Sequence, residues 1–437
     1  MISDPLLFVA TSDFAGRTRG KAFPVADYEK RSSRGVGWTP TNVMITCFDV
    51  IGKGPYGSLG DLLLVPDRNA TVTIDMEDGG AVERFALGDI TDLEGNPWEC
   101  CTRSLLKSAL ERLRTLAGVE LMSAFEHEFQ IVKTGQTVPD AYSLRAFTKQ
   151  RRMGETLMAA LSAAGLQADT FMAEFGPNQF EVTNGPALAH RSADHAVFLR
   201  EVTRMVAGRF SERVTFVPIS NPTSVGNGVH IHMSFVDHTG APKTYDPGGP
   251  GNMSKLTASF VAGILKYLDS IIALTAPSDV SYLRLTPHRW SAAYNNLGFR
   301  DREASVRICP VTAREPDKIQ KQYNFEYRAA DAAASPYLAL AAIVHAGCQG
   351  IEEQLSAPEI TQEDLSVLSD TELGKRGYGR LPTSLEQALQ KFEANAVVRS
   401  WFPPCFSSIY TAHKRAEIAY LGDRDTSSRC AAYADVY

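Results

Sequence analysis

Between Leu121 and Val132 the sequence alternates with a period of two. Glu126, Glu128 and Gln130 fall on one side, and Phe125, His127 and Phe129 on the other. That period belongs to a β-strand, whose successive side chains point to opposite faces of a sheet. Two carboxylates on one face of a core strand repel each other unless a positive group lies between them, and a divalent metal ion is the simplest such group. A solvated edge strand is the other reading of the same pattern.

Three further groups bear on that choice. Glu174 and Glu181 flank Phe-Gly-Pro-Asn-Gln-Phe, a turn able to fold the two acids towards each other. His230 and His232 follow a Gly-rich turn and share one face of a second strand. An HxH pair suits zinc, or two ordinary polar histidines, but the neighbouring oxygen donors suit Mg2+ or Mn2+ better. Arg284, Arg300, Arg302 and Arg307 then fall within a short span, followed by Lys321 and by Phe325-Glu326-Tyr327-Arg328. Around Arg302 to Pro310 the neighbours are mostly small or apolar (Ala304, Ser305, Val306, Ile308, Cys309), and guanidinium groups in such surroundings call for phosphate or carboxylate partners. Acids, histidines and arginines together point to metal-bridged phosphoryl transfer. No GxxxxGK[ST] loop is present to cradle the phosphates.

A chain of 437 residues with 44% hydrophobic content is long enough for two or more domains. The first hundred residues read as strands and turns (Leu6–Ala10, Val43–Val50, Asp61–Val65, Thr71–Ile74, Val82–Ala86) with little helical periodicity before Pro97. From Thr102 the pattern turns helical, with Leu106, Leu110, Leu113 and Ala117 on one stripe and Gly118 as a stop. Arg191–Ser211, Lys255–Leu274, Pro336–Glu353, Leu385–Ala396 and Cys405–Tyr420 are the clearest helices, with Ser335 as expected N-cap of the third. The boundary is placed at 98/99, between domains 1–98 and 99–437. A net charge of -6, from 44 Lys and Arg against 50 Asp and Glu, offers no electrostatic footprint for nucleic acid or an anionic membrane. No window of about 18 uncharged apolar residues suggests a membrane span. Seven irregularly spaced cysteines without a CxxC pair suit reduced thiols and a cytoplasmic location.

Five segments, in order, resemble the glutamine synthetase superfamily. Met122–Phe129 resembles its ExEF strand, Glu174–Glu181 its E-x-G-P-x-Q-x-E segment, and Gly226–Ser234 its G-x-G-x-H-x-H-x-S segment. Ser281–Leu285 with Arg302–Pro310 resembles its S-Y-x-R-L and N-R-x-A-S-x-R-I-P pair, and Phe325–Leu340 its E-x-R-x-x-D-x-x-x-N-P-Y-L-A-L helix entry. The resemblance implies an α+β fold: a small N-terminal β-grasp domain, then a large catalytic domain with an antiparallel sheet and flanking helices. It also implies a homo-oligomer, a dodecamer of two stacked hexameric rings. By the same resemblance Glu128, Glu174 and Glu181 would hold one metal, and Glu126, His230 and Glu326 a second, within a set of two to three Mg2+ or Mn2+ ions. His232, Ser234, Arg307 and Lys321 match nucleotide-contacting positions. Gly226, Arg284 and Arg328 match positions that hold glutamate, and Arg302 one between glutamate and the γ-phosphate. The activity implied is ATP-dependent joining of an amine to the glutamate side-chain carboxylate through γ-glutamyl phosphate.

Two departures from the family pattern concern the amine. The Asp-Gly-Ser-Ser type segment that binds ammonium has no acidic counterpart around Gly35–Thr39, and Asp49 lies nearby but outside the motif. The flap motif R-L-x-P-G-x-E appears as Arg284-Leu-Thr-Pro-His-Arg-Trp290, with Trp290 where the catalytic Glu would stand. Exchanging anions for an indole makes the amine pocket more apolar. An organic amine, alkyl or aryl, is therefore expected in place of ammonium. The alternatives are a glutamine synthetase using ammonium, in which Trp290 is flap packing, and a catalytically silent regulator. A guanidino-type phosphotransferase leaves the six-ligand metal set unexplained.

Overall fold

The computed structural model describes residues 4–133 and 140–437. Its first sheet contains β1 (Leu6–Ser12), β2 (Thr18–Pro24), β3 (Val36–Trp38), β4 (Leu62–Ile74) and β5 (Glu83–Thr91), ordered β2-β1-β5-β4-β3. β1 and β5 run parallel in its centre, the other pairs antiparallel, and the short helix α1 (Tyr28–Arg34) lies against β4. The two apolar runs read as separate segments, Asp61–Val65 and Thr71–Ile74, are halves of the one strand β4. Between Pro66 and Thr71 its register against β5 slips, the four residues Asp67 to Ala70 standing against the single Leu87. An odd excess reverses the facing of every later residue. Leu62 and Leu64 therefore close the small core of this sheet, whereas Val72 and Ile74 join the main core.

Two readings of this region need correction. Val43–Val50 is not a strand: Pro40 opens a 3-10 turn over Pro40–Met44, and Asp49 turns the chain at φ 57°. The helix α1 also lacks a sequence signature, since it buries no residue.

The second sheet contains β6 (Val119–Ile131), β7 (Ala168–Ala173), β8 (Gln179–Asn184), β9 (Ala187–Leu188), β10 (Val214–Thr215), β11 (Gly228–Asp237), β12 (Leu297–Phe299), β13 (Val306–Ile308), β14 (Phe325–Asp331) and β15 (Ile360–Thr361). Its order is β15-β12-β13-β14-β11-β6-β8-β7, with β9 and β10 attached to β6. From β13 to β7 the pairing is antiparallel, as expected, while β12 pairs parallel with both β13 and β15 at one edge. The helices are α2 (Thr102–Ala117), α3 (Leu144–Ala163), α4 (Arg191–Arg209), α5 (Lys255–Thr275), α6 (Ser281–Arg284), α7 (Pro316–Gln322) and α8 (Pro336–Glu352), followed by shorter C-terminal helices. α2 and α4 pack on β6, α5 on β14, and α8 on α5 and α2. The face of the sheet bearing Phe125, Phe129, Ile231, Phe325 and Tyr327 thus enters the core. By length and composition α5 could cross a membrane, but 78% of that stretch is buried here. Its apolarity is that of a helix enclosed by protein.

Smaller differences have local causes. Ser335 stands at the N-cap of α8 as expected, but its side chain makes no capping bond; its hydroxyl accepts from Ser12 Oγ at 3.1 Å, tying β1 to the helix start. The expected helix Leu385–Ala396 stops at Ala394, because the side chain of Asn395 accepts from Val398 N and starts a second helix. α3 was not read from the sequence, although Ser143 caps it by accepting from Ala146 N.

A buried guanidinium ties the first sheet to two helices that pack on the second. Arg103 on α2 donates to Asp194 of α4 at 2.9 and 3.0 Å, to Asp89 of β5 at 3.0 Å and to Asp67 in the β4 irregularity at 2.6 Å. Arg103 and Asp194 have fully buried side chains. Removing one partner of such a pair leaves an uncompensated buried charge. Arg103→Ala is expected to destabilise the protein by about 3–5 kcal/mol, read as a lower urea midpoint.

Candidate active site

The antiparallel registers decide which polar side chains meet. Glu126 lies opposite His230, and Glu128 opposite Glu181. His232 pairs with Glu326, and Glu326 with Arg307 on its other side. Because side chains alternate, all these residues emerge on the face away from the helices. They line a cavity of about 400 Å³, which Glu174, Arg302, Arg328 and Trp290 also enter. His127, on the opposite face of β6, is a core residue: burial pushes its pKa down to about 3.

Glu174 is folded towards β6 by the turn expected there, and Gln179 fixes that turn. The Gln179 side chain accepts from Gly176 N at 2.7 Å and donates to Glu128 at 3.1 Å, to the Gly226 carbonyl at 2.9 Å and to Asn227 at 3.0 Å. Glu128 also accepts from Gly228 N at 2.8 Å, and Glu174 from the Tyr142 hydroxyl at 2.9 Å. Gly226 cannot be replaced: a Cβ would lie 2.3 Å from the Pro218 carbonyl and 2.5 Å from Arg284 Cδ.

The expected donors therefore share one wall, but their grouping differs from the resemblance. Ligand atoms of Glu126, Glu181 and His230 lie within 4.8 Å of one another, mixing the two anticipated sets. Glu326 instead accepts from Arg307 at 2.6 Å and Arg328 at 2.9 Å, and its other oxygen lies 2.9 Å from His232 Nε2. With His232 and Cys309 it forms a second group of close donors.

Charge crowding is visible in the pKa values. Burial, then the carboxylates of Glu126, Glu128 and Glu174, push Glu181 up to about 9. Burial and the neighbouring Glu174 push Glu128 up to about 7, against the Gly228 N–H. Burial also raises Glu126, but the imidazoles of His232 and His230 outweigh it and hold that carboxylate low. His230 falls to about 4 through burial and the nearby Arg328. A divalent cation would relieve desolvation and repulsion together, and carboxylates with one imidazole are donors suited to Mg2+ or Mn2+. The residues present thus fit such ions.

The arginines divide into two kinds. Arg302 is exposed at the cavity, whereas Arg307 and Arg328 are buried and held by Glu326. Arg284 is buried beside Gly226, donating to Ser291 Oγ at 2.7 Å and the Ala330 carbonyl at 2.6 Å. Its Nε has no partner among the described residues, and Arg284 lines a smaller cavity with Gly226, Glu128 and Trp290. Ser234, further along β11, and the exposed Lys321 of α7 are not among the residues that line either cavity. Tyr142, Phe175, Gln179, Cys309 and Asn324 were not singled out from the sequence. Only Gln179 carried a signal, as a polar residue between the paired acids and a turn.

A carboxylate with a raised folded pKa keeps its proton longer when folded. Its folding contribution therefore weakens as pH rises from the ordinary value of 4.5 towards about 7 for Glu128 and about 9 for Glu181. Divalent ions bind the deprotonated form, so affinity should rise by about tenfold per pH unit for each proton displaced. The increase in Tm on adding Mn2+ or Mg2+ is expected to be larger at pH 8.5 than at pH 6, and the double variant Glu128→Gln/Glu181→Gln to lose most of that difference. Differential scanning fluorimetry across this pH range measures both.

Comparison with known proteins accounts for the arrangement. The family model of the glutamine synthetase catalytic domain matches residues 99–433, and that of the glutamine synthetase N-terminal domain matches residues 4–98. The gamma-glutamylpolyamine synthetase GlnA3 of Streptomyces coelicolor is 32% identical, covering 97% of this chain and 92% of its own. A glutamine synthetase of Thermococcus kodakarensis is 28% identical over 96% of this chain and 91% of its own. Among solved structures, a glutamine synthase homolog superposes with a TM-score of 0.91 at 38% identity, over 100% of this chain and 99% of that one. The GmaS/ADP complex shares the fold, with a TM-score of 0.82 at 24% identity, over 97% of this chain and 95% of that one. The chain belongs to the glutamine synthetase family of ATP-dependent ligases.

Proposed function

We propose that this enzyme joins an organic amine to the side-chain carboxylate of glutamate, with γ-glutamyl phosphate as intermediate. Trp290 carries the reading. In the sequence it stands at the flap position of the family's catalytic Glu; the residue is 52% exposed and lines the cavity, and its ring lies tilted against that of Phe175 with centroids 5.5 Å apart. An aromatic pair there favours the carbon skeleton of an amine, or its ammonium group through cation–π attraction, over free ammonium.

In this scheme Arg284, Arg328 and the Gly226 backbone hold glutamate, while His232, Ser234, Arg307 and Lys321 hold ATP. Arg302 lies between the reacting carboxylate and the γ-phosphate, where with Arg307 it offsets their mutual repulsion. Glu126, Glu128, Glu174, Glu181, His230 and Glu326 would hold two to three Mg2+ or Mn2+ ions, which supply further charge neutralisation when bound. A glutamate side-chain oxygen attacks the γ-phosphorus and ADP leaves. The amine nitrogen then attacks the acyl carbon, phosphate leaves, and the nitrogen gives up a proton. Trp290 covers the second step and restricts water. Residues 1–98 and 99–437 act as the two domains of this scheme, and a dodecamer of two stacked hexameric rings is the assembly that goes with it.

A di- or polyamine is a second reading of the acceptor. A neighbouring cavity of about 500 Å³ is lined by Asp301, Glu303, Glu363 and Asp364 together with Arg300, an excess of acid suited to a distal ammonium group. The relative from Streptomyces coelicolor is named for polyamine ligation.

Phosphate release from ATP with glutamate and Mg2+ tests both readings across ammonium, alkylamines, diamines, polyamines, ethanolamine and anilines. Preference for an organic amine over ammonium is the expected outcome, and a diamine or polyamine optimum selects the second reading. Preference for ammonium makes the enzyme a glutamine synthetase. No turnover with any acceptor favours a silent regulator. Trp290→Glu is expected to lower kcat/KM for the organic amine and raise it for ammonium, each by about tenfold.

A further inference from the structure

The flap that presents Trp290 is held by Glu303, which lines the neighbouring acidic cavity but takes no part in the proposed reaction steps. His288 and Trp290 both adopt left-handed backbone, at φ 60° and 54°. Neither is glycine, so each conformation costs free energy that nearby contacts must offset. Both of their backbone N–H groups donate to one carboxylate. Glu303 accepts from His288 N through Oε2 and from Trp290 N through Oε1, each at 3.1 Å. Glu303 is steadied by its own N–H, which donates to Asp301 at 2.9 Å, and it stands one residue beyond Arg302. A two-oxygen acceptor spanning two residues of a strained loop pins both ends of the turn that carries the indole.

Other contacts hold the side chain in the middle of the turn and the residues that follow it. Arg289 donates to the Ser224 and Pro222 carbonyls at 2.7 and 2.9 Å, and Arg284 to Ser291. Arg328 reaches the Trp290 carbonyl at 3.3 Å. Among the described residues only Glu303 engages the N–H groups of the two left-handed residues.

We infer that Glu303 is the positioning residue of the flap: it sets the Trp290 indole against Phe175 and so determines which acceptor the site admits. The anchoring rests on the geometry alone. The selectivity rests on the organic-amine reading above.

Two variants of the full-length enzyme test this. Glu303→Gln keeps the side-chain shape and one acceptor oxygen but replaces the other with a donor. Glu303→Ala removes both acceptors. Hydrogen bonds to a charged acceptor are worth about tenfold or more each. Amide exchange of residues 286–291, followed by mass spectrometry, should therefore accelerate about tenfold in Glu303→Gln and further in Glu303→Ala. KM for the organic amine should rise, and the kcat/KM ratio of organic amine to ammonium should fall about tenfold in Glu303→Ala, with KM for ATP unchanged. Unchanged flap exchange in both variants overturns the anchoring. Accelerated exchange with unchanged acceptor selectivity overturns the selectivity role. If the parent enzyme turns over only ammonium, or no acceptor, the organic-amine reading and the selectivity role fail together, while the exchange rates still decide the anchoring.

Discussion

The antiparallel register of β13, β14, β11, β6 and β8 is the constraint on which the site depends. With Glu128 opposite Glu181, Glu126 opposite His230, and Glu326 between His232 and Arg307, the donors become lateral neighbours across five strands. A one-residue slip of any pair would send its charged side chains into a core built on Phe129, Ile231, Phe325 and Tyr327. The burial that stabilises the sheet therefore also aligns the chemistry. Stability and function share one register because one face of each strand has no alternative but the core.

That alignment has an electrostatic cost, which the site turns to use. Carboxylates pressed together in a half-buried wall hold protons at pH values where free ones would not, as Glu128 and Glu181 do. Imidazoles and guanidiniums relieve part of the strain at Glu126 and Glu326. The remaining excess of acid on the Glu128–Glu181 side suits that wall to a cation, and the guanidinium of Arg302, exposed at the same cavity, suits an anion. The N-terminal sheet shows the same logic used for docking. Three aspartates from different elements converge on the buried Arg103, one of them delivered by the irregularity in β4.

Much of the site was legible because its chemistry is written at short range. Period-two alternation put Glu126 and Glu128 on one face, the Gly-Pro turn brought Glu174 and Glu181 together, and the small apolar neighbours of Arg307 called for an anionic partner, which it has in Glu326. Less was legible where the determinant is distant. Tyr142 meets Glu174, Phe175 meets Trp290, and Glu303 meets a flap 13 residues earlier. None of these contacts leaves a periodic trace. The β4 irregularity escaped notice for a related reason. Each half of that strand alternates correctly by itself, and only pairing with β5 shows that the two halves face different cores.

The sequence alone determined which groups the site could contain: the acids, imidazoles and guanidiniums, the strands that present them, and an indole where the family places a carboxylate. Side-chain direction along a strand or turn depends on adjacent residues, so it can be read locally. Tertiary structure decided which group meets which. Glu326 went to Arg307 and Arg328, Glu181 joined Glu126 and His230, and Glu303 took both N–H groups of the flap. Those pairings depend on strand register and loop closure across the whole domain, where several charge partners of equal chemical merit compete and geometry selects among them.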